Sequence, residues 1–185
     1  TEQGQCHDCP PGSACSLGAE QPTPCAAGTN SSVEGAESCG KCPAGTFQDL
    51  EGNTTCKDCT PGYYCAEGSA APLPCPGGKR MDISLPFMTG EEDCLTCAEG
   101  TYCPVGSANE TACAPGTISA SSGQSECVPC AGGMYQDQSG QMVCITCTAG
   151  NYCPRGSSAE RPCVQGSYSG VEGLGAAAQC TDCQL

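Results

Sequence analysis

Residues 39–59 read CGKCPAGTFQDLEGNTTCKDC, and residues 127–147 read CVPCAGGMYQDQSGQMVCITC. All four cysteines of the first stretch recur 88 residues later in the second. The same shift carries each of the first ten cysteines of the chain onto another cysteine, whereas Cys180 and Cys183 come two residues early. A fixed period is typical of an array of small modules. The sequence therefore predicts repeats and not a globular enzyme with one active site.

The composition indicates what holds such modules together. The 185 residues include 22 Cys, 26 Gly and 15 Pro, but only six Tyr, two Phe and no Trp. So few large apolar side chains cannot build a core for a chain of this length, and disulfides replace the core in small secreted domains. The predicted fold class is small disulfide-rich repeats, forming an elongated rod of short β-hairpins and loops with almost no helix.

The cysteine spacing predicts seven modules in sequence. Their predicted bounds are 1–38 (a cysteine-rich module), 39–55 (a short module), 56–93 (a module with a long loop), 94–126, 127–143 (short), 144–179, and 180–185 as the start of a further module. Because a Cys-x-x-Cys pair lies near each end, we expect the chain to be a segment of a longer array.

Cysteine pairs at this spacing have two chemical interpretations, zinc ligands or disulfides. The cysteines of residues 39–59 have a plausible zinc spacing. However, neighbouring units share the pairs, and the seven Cys-x-x-Cys pairs cannot be divided into four-cysteine sites. Zinc would also leave Cys15, Cys25 and their repeat counterparts without a role. The pattern therefore favours disulfides, with no metal or cofactor.

The connectivity is not fixed by the sequence, but the repeated loop lengths favour consecutive pairing. That scheme joins Cys9–Cys15, Cys25–Cys39, Cys42–Cys56, Cys59–Cys65, Cys75–Cys94, Cys97–Cys103, Cys113–Cys127, Cys130–Cys144, Cys147–Cys153 and Cys163–Cys180. It leaves Cys6 and Cys183 unpaired within this chain. A crossed pattern with Cys59–Cys75 and Cys65–Cys94 is the alternative.

Charge and glycosylation motifs indicate the compartment. Asn30, Asn53 and Asn109 begin N-x-[ST] motifs although the chain has only four Asn, so we expect N-linked glycans. The net charge of −14 argues against nucleic acid and anionic lipid as partners. No apolar run approaches the roughly 20 residues that span a bilayer, so this segment is not expected to insert in a membrane. Together with the cysteines, these features predict an extracellular or cell-surface protein.

Residues that could carry catalysis are scarce. The only histidine, His7, stands beside Cys6, but neighbouring residues in a loop do not normally face each other. The acidic run at 91–93 is interpreted as a solvated turn, with weak calcium binding as the minority alternative because no calcium-loop motif is present. No nucleophile, phosphate-loop or metal-histidine motif occurs. We therefore expect no enzymatic activity.

Two further patterns concern the loops. Glycine and then an aromatic residue follow the module openings, and we expect these aromatic side chains to pack on a disulfide or on the next module. They are Phe47, Tyr63, Tyr64, Tyr102, Tyr135 and Tyr152. The related segments 47–52 and 135–140 are predicted to form short hairpin turns.

The long loop at 76–93 contains the one apolar stripe in the chain. Apolar residues alternate there with polar ones or proline, which predicts a short strand with one apolar face. The apolar members are Met81, Ile83, Leu85 and Phe87. Such a strand either folds back on its own module or forms an assembly contact between subunits.

The combined pattern is specific for one family. The motif C-x2-C-x2-G-x-Y-C-x2-G-S occurs at residues 56–69, 94–107 and 144–157. It resembles the ephrin-receptor-like, growth-factor-receptor-type cysteine-rich repeats and, more distantly, tumour-necrosis-factor-receptor modules. This resemblance covers nearly the whole chain. It implies disulfide-rich extracellular modules, found in receptor ectodomains and in surface proteins of protists and algae.

Within that family the nearly constant period favours a structural role. We predict a disulfide-stapled segment of a filament, coat or flagellar hair (mastigoneme-like) that associates with itself or with other extracellular structural proteins. A receptor or adhesion stalk that binds a protein ligand is the alternative. It is less favoured because a ligand site requires one repeat to differ from the others, and the period here is nearly constant.

Overall fold

A computed structural model describes residues 8–184, which form ten two-stranded antiparallel hairpins. Each odd-numbered strand pairs with the next strand along the chain. The strands are β1 Ser13–Ala14, β2 Thr23–Pro24, β3 Thr29–Asn30, β4 Gly40–Lys41, β5 Thr46–Phe47, β6 Lys57–Asp58, β7 Tyr63–Tyr64, β8 Leu73–Pro74, β9 Lys79–Arg80, β10 Leu95–Thr96, β11 Thr101–Tyr102, β12 Thr111–Ala112, β13 Thr117–Ile118, β14 Val128–Pro129, β15 Met134–Tyr135, β16 Ile145–Thr146, β17 Asn151–Tyr152, β18 Arg161–Pro162, β19 Ser167–Tyr168 and β20 Thr181–Asp182. Two single 3-10 turns, Glu91–Asp93 and Ala177–Gln179, are the only helical segments in the described part. The predicted fold class of disulfide-rich hairpin repeats with almost no helix is confirmed.

One local rule forms every hairpin, and the β11–β12 hairpin shows it. This hairpin begins at Cys97, and Gly100 then adopts a φ of +76°, a conformation that glycine reaches without steric cost. The Thr101 hydroxyl donates to the Ala98 carbonyl at 2.7 Å and closes the turn. After the second strand, the backbone N–H of Cys113 donates to the Gly100 carbonyl at 2.9 Å. The structural repeat is therefore the C-x2-G hairpin, which is smaller than the long predicted modules and close in length to the short ones; the module bounds themselves stay a prediction.

The hairpins group into two compact units. The first unit contains the described residues up to Cys75 together with Met81–Cys94. The second contains Pro76–Arg80 together with the described residues from Leu95 onward.

Within each unit, successive hairpins bind each other through the backbone. In the first unit the Gly28 N–H donates to the Gln48 carbonyl, and in the second the Gly116 N–H donates to the Gln136 carbonyl, both at 2.7 Å. Half-cystines dominate the buried residues, and Cys42 and Cys97, one in each unit, are fully buried. Disulfides and backbone contacts thus take the place of an apolar core.

The predicted strand at residues 81–87 is wrong. The Asp82 carboxylate accepts hydrogen bonds from the Ser84 backbone and hydroxyl at 2.9 and 2.7 Å, and the Leu85 N–H donates to the Asp82 carbonyl. An aspartate that bonds to the backbone two residues later forms a turn, and this turn competes with the extended conformation. The apolar side chains therefore do not line one strand face.

Candidate interaction surfaces

Each hairpin of the described chain contains one disulfide. The ten bridges join consecutive cysteines, from Cys9–Cys15 to Cys163–Cys180, and Cys59 is bonded to Cys65. Bridges with a sequence separation of 6 join the first cysteine of the hairpin to the residue after the first strand, as Cys9–Cys15 does. Longer bridges join it to the residue before the second strand, as Cys25–Cys39 does. Cys183 is an exposed free thiol. Cys6 and His7 lie outside the described residues.

The three glycosylation motifs differ in accessibility. Asn109 is exposed. Asn30 is half-buried in β3, and its side-chain amide donates to the Thr54 carbonyl at 2.8 Å. Asn53 is half-buried, and its amide donates to the Leu50 carbonyl at 3.4 Å. Asn109 is therefore the motif whose amide is most open to a glycan.

The recurring aromatic residues are half-buried at the first strand of their hairpins. Tyr64 packs against the cluster formed by Met88 and the Cys75–Cys94 bridge. Phe47 and Tyr135 each form a backbone bridge to a serine of the following hairpin, Ser69 and Ser157. These residues connect neighbouring hairpins within a unit.

Two buried glutamines were missed by the sequence interpretation. Gln48 and Gln136 directly follow Phe47 and Tyr135, in segments that were predicted as turns. Each lies in the loop that joins the two strands of its hairpin. The Gln136 amide donates to the Val143 carbonyl at 2.8 Å, and its carbonyl accepts the Gln138 N–H at 3.0 Å. The signal for this role was the Gln-Asp pair that both halves of the chain share.

The predicted assembly stripe divides into buried and exposed members. Met81 and Leu85 pack against the cluster of Met88 and the Cys75–Cys94 bridge. Ile83 is 70% exposed and Phe87 is 50% exposed. One side of Phe87 contacts Gly45 at the rim of a groove of about 580 Å³ in the first unit. Of the four stripe residues, Ile83 and Phe87 therefore present the most apolar surface to solvent, whereas Met81 and Leu85 are half-buried.

A second groove, which the sequence interpretation missed, lies in the second unit. It has a volume of about 500 Å³, and Ala120, Pro129, Ala131 and the Cys130–Cys144 bridge also line it. We call this surface the apolar groove. Its large apolar lining residues are Ile118, Val128, Met134, Met142 and Val143. Val128 and Val143 are 54% and 68% exposed. Exposed apolar side chains grouped in this way mark interaction sites.

The equivalent surface of the first unit is polar. At positions 88 residues earlier, the chain has no large apolar residue. The five counterparts of the apolar groove are Asn30, Gly40, Thr46, Thr54 and Thr55. Because the two surfaces lie on equivalent hairpins of the two units, they differ in their side chains and not in their backbone. The groove could have been predicted from the sequence by comparing residues 88 positions apart, because only the second repeat is apolar at these five positions.

The charges beside the two surfaces also differ. In the first unit, Lys41 lies 3.9 Å from Glu67. The counterparts of these residues in the second unit are Pro129 and Arg155. Arg155 is exposed, has no ion pair among the described residues, and precedes Gly156, whose added Cβ would lie 3.7 Å from Pro129. A cationic residue thus directly precedes the glycine that lies beside Pro129 of the groove lining.

A carboxylate holds the end of the long loop in the first unit. The Thr89 N–H and hydroxyl donate to Asp93 at 2.7 and 2.9 Å. These hydrogen bonds hold the pKa of Asp93 below its ordinary value of 3.8. In the second unit, Gln179 accepts the Gly175 and Ala176 N–H groups in the same way, with a side chain that does not titrate.

We expect acidification to loosen this loop end in the first unit alone. Because the folded pKa of Asp93 is lowered, its contribution to stability is fully present above the unfolded pKa and is lost as pH falls through the folded value. An NMR titration of the Thr89 and Gly90 amides between neutral pH and pH 2 measures this, with Gly175 and Ala176 as the internal control. Parallel shifts of both pairs would contradict the assignment.

No group of three or more His, Cys, Asp or Glu side chains among residues 8–184 is arranged to hold a metal ion. No helix among the described residues is long and apolar enough to cross a membrane.

Two stretches of the chain match a protein-family model, described as tyrosine-protein kinase ephrin type A/B receptor-like. The matches cover residues 28–71 and 116–163. Their first residues lie one 88-residue period apart, so the two matches contain equivalent hairpins. A comparison with curated proteins gave no match. The family resemblance predicted from the sequence is confirmed over these two stretches.

Proposed function

Residues 28–71 and 116–163 are ephrin-receptor-like cysteine-rich repeats, and from this premise we propose that the chain is a structural segment of an extracellular assembly. The assembly is a filament, a surface coat or a flagellar hair of the mastigoneme type. In this role the chain associates with further copies or with other extracellular structural proteins, and it performs no catalysis.

The regular recurrence of one stapled hairpin carries this proposal. Among the described residues, ten hairpins follow the same backbone rule, and each contains its own disulfide. A scaffold whose units contact their neighbours can be extended without limit, because no unit depends on a distant part of the chain. Cross-links of this density belong to oxidising surroundings and resist unfolding where an apolar core is absent.

The surface chemistry supports the same role. A net charge of −14 keeps such segments soluble. Glycans at the predicted motifs, with Asn109 the most accessible, would add further hydration and limit non-specific clumping. Specific association then needs a surface that is neither charged nor glycosylated.

A receptor or adhesion stalk that binds a protein ligand is the second candidate. The observation that favours it is the apolar groove, which the second unit has and the equivalent surface of the first unit lacks. A ligand site requires this kind of difference between repeats. The groove therefore supports either a contact between copies or a ligand contact.

Imaging and sedimentation of the unreduced protein test the structural role. We expect filaments in negative stain with an axial repeat commensurate with the 88-residue period, and sedimentation that increases with protein concentration. Dispersed single particles, together with sedimentation as a monomer at all concentrations, would contradict self-assembly and favour the stalk.

A further inference from the structure

We propose that the apolar groove of the second unit binds the loop at residues 83–92 of a second copy of this chain. The proposal rests on the self-assembly proposed above and names the two surfaces that make the contact. The contact is heterologous, because the groove and the loop are different surfaces of one molecule.

Apolar surface is present on both sides of this contact. Ile83 is 70% exposed, and Phe87 keeps its outer side in solvent while its inner side rests on Gly45. The apolar groove has a volume of about 500 Å³, within the range of about 300–1,000 Å³ that is usual for ligand pockets. Insertion of these side chains would remove exposed apolar area from water on both partners.

Charge identifies the occupant as this acidic chain. With 20 acidic and six basic residues, most surfaces of one copy repel those of another. The apolar groove is an exception, since no charged residue lines it and Arg155 directly precedes Gly156, which lies beside the lining residue Pro129. The loop combines its exposed apolar residues with the exposed carboxylate of Glu92. An apolar segment followed by an acid thus fits an apolar groove flanked by a cation.

The first unit explains why the chain has one such groove in its two 88-residue periods. Its equivalent surface has two threonines, Thr54 and Thr55, in place of Met142 and Val143, and it includes the glycosylation motif at Asn53. The position of Arg155 is occupied there by Glu67, whose carboxylate lies 3.9 Å from Lys41, so the cation on this surface of the first unit already has an acidic partner. Because the groove and the loop are different surfaces, repetition of this contact adds molecules head to tail, and the assembly stays open where the rotation between successive copies does not close a ring.

The chain supplies its own matched variants for the test. The double variant Met142→Thr and Val143→Thr copies the first unit, where the same backbone already accommodates both threonines. Arg155→Glu likewise copies Glu67. Ile83→Asp places a charge in the loop at a side chain that is mostly in solvent. Thr54→Val, on the polar surface of the first unit, is the control.

Sedimentation velocity separates the outcomes, with a non-reducing peptide map to verify the disulfides of every variant. We expect the groove, Arg155 and loop variants each to weaken self-association by at least about tenfold, while the control assembles as the original chain does. An equimolar mixture of the groove and loop variants should form one-to-one complexes that do not grow, because only one intact groove can meet one intact loop. Exchanging the charges with Arg155→Glu and Glu92→Arg together should restore association.

Failure of this contact differs visibly from failure of the proposed function. If the original chain assembles and the groove and loop variants assemble equally well, the groove–loop contact is wrong and self-assembly stands. If the original chain stays monomeric at all concentrations, both proposals are overturned. Complexes of the mixed variants that continue to grow would also overturn the heterologous contact.

Discussion

Gly100→Ala is expected to destabilise the second unit by on the order of 4 kcal/mol, which is among the largest effects of any glycine-to-alanine substitution in the chain. An added Cβ would lie 2.1 Å from the Gly140 carbonyl oxygen and 2.8 Å from its carbon. These are backbone atoms that cannot rotate away. The left-handed conformation costs Ala about 1–2 kcal/mol, and overpacking adds about 1–3 kcal/mol or more. Single domains have only about 5–15 kcal/mol of net stability.

Gly150→Ala is the matched control. Gly150 has the same conformation, with a φ of +84°, and is also followed by a polar residue, a tyrosine and a cysteine. An added Cβ there has no atom within 4 Å. We expect this control to lose only the conformational part, about 1–2 kcal/mol.

Amide hydrogen exchange measures both substitutions at equivalent positions. The Cys113 N–H donates to the Gly100 carbonyl, and the Cys163 N–H donates to the Gly150 carbonyl, both at 2.9 Å. We expect Gly100→Ala to accelerate exchange at Cys113 far more than Gly150→Ala does at Cys163. Equal acceleration would mean that the overlap of the added Cβ with the Gly140 carbonyl does not destabilise the hairpin.

Removal of the Cys113–Cys127 bridge is the second large effect. The bridge closes a loop with a sequence separation of 14, and Cys113 is fully buried. In the chain-entropy account, a loop of this length contributes about 3 kcal/mol by restricting the unfolded chain. We expect the double variant Cys113→Ala and Cys127→Ala to unfold at lower guanidinium concentration and to be cleaved by protease within the 113–127 loop.

The short bridge Cys147–Cys153 is the comparison for this prediction. Its sequence separation is 6, so the same account gives about 2.4 kcal/mol. Replacing both of its cysteines by Ala should lower the unfolding midpoint less than removing Cys113–Cys127. A reversed order would refute the loop-length argument for this chain. A non-reducing peptide map that joined Cys59 to Cys75 would contradict the pairing itself.

The sequence alone determined the repeat and the fold class. Cysteine spacing is a local property, and a bridge between consecutive cysteines needs only a turn to bring its ends together. The glycine of each C-x2-G opening likewise dictates its own backbone conformation, as Gly100 illustrates. For these reasons, local sequence was sufficient to predict disulfide-rich hairpins without an apolar core.

The strand predicted at residues 81–87 failed because two local preferences competed. The alternation of apolar residues indicates an extended chain. The Asp82 carboxylate instead bonds to Ser84, and the resulting turn directs Leu85 toward the buried cluster at Met88. A periodic pattern does not report the hydrogen bond that overrides it.

Only the tertiary structure decided which residues meet. The close contact of Gly100 with Gly140 and the apolar groove both join residues from different hairpins. Their positions depend on how each hairpin rests on the next, through bonds such as Gly116 N–H to the Gln136 carbonyl. The sequence specified each hairpin because that information is local, whereas the surface formed by neighbouring hairpins follows from their packing.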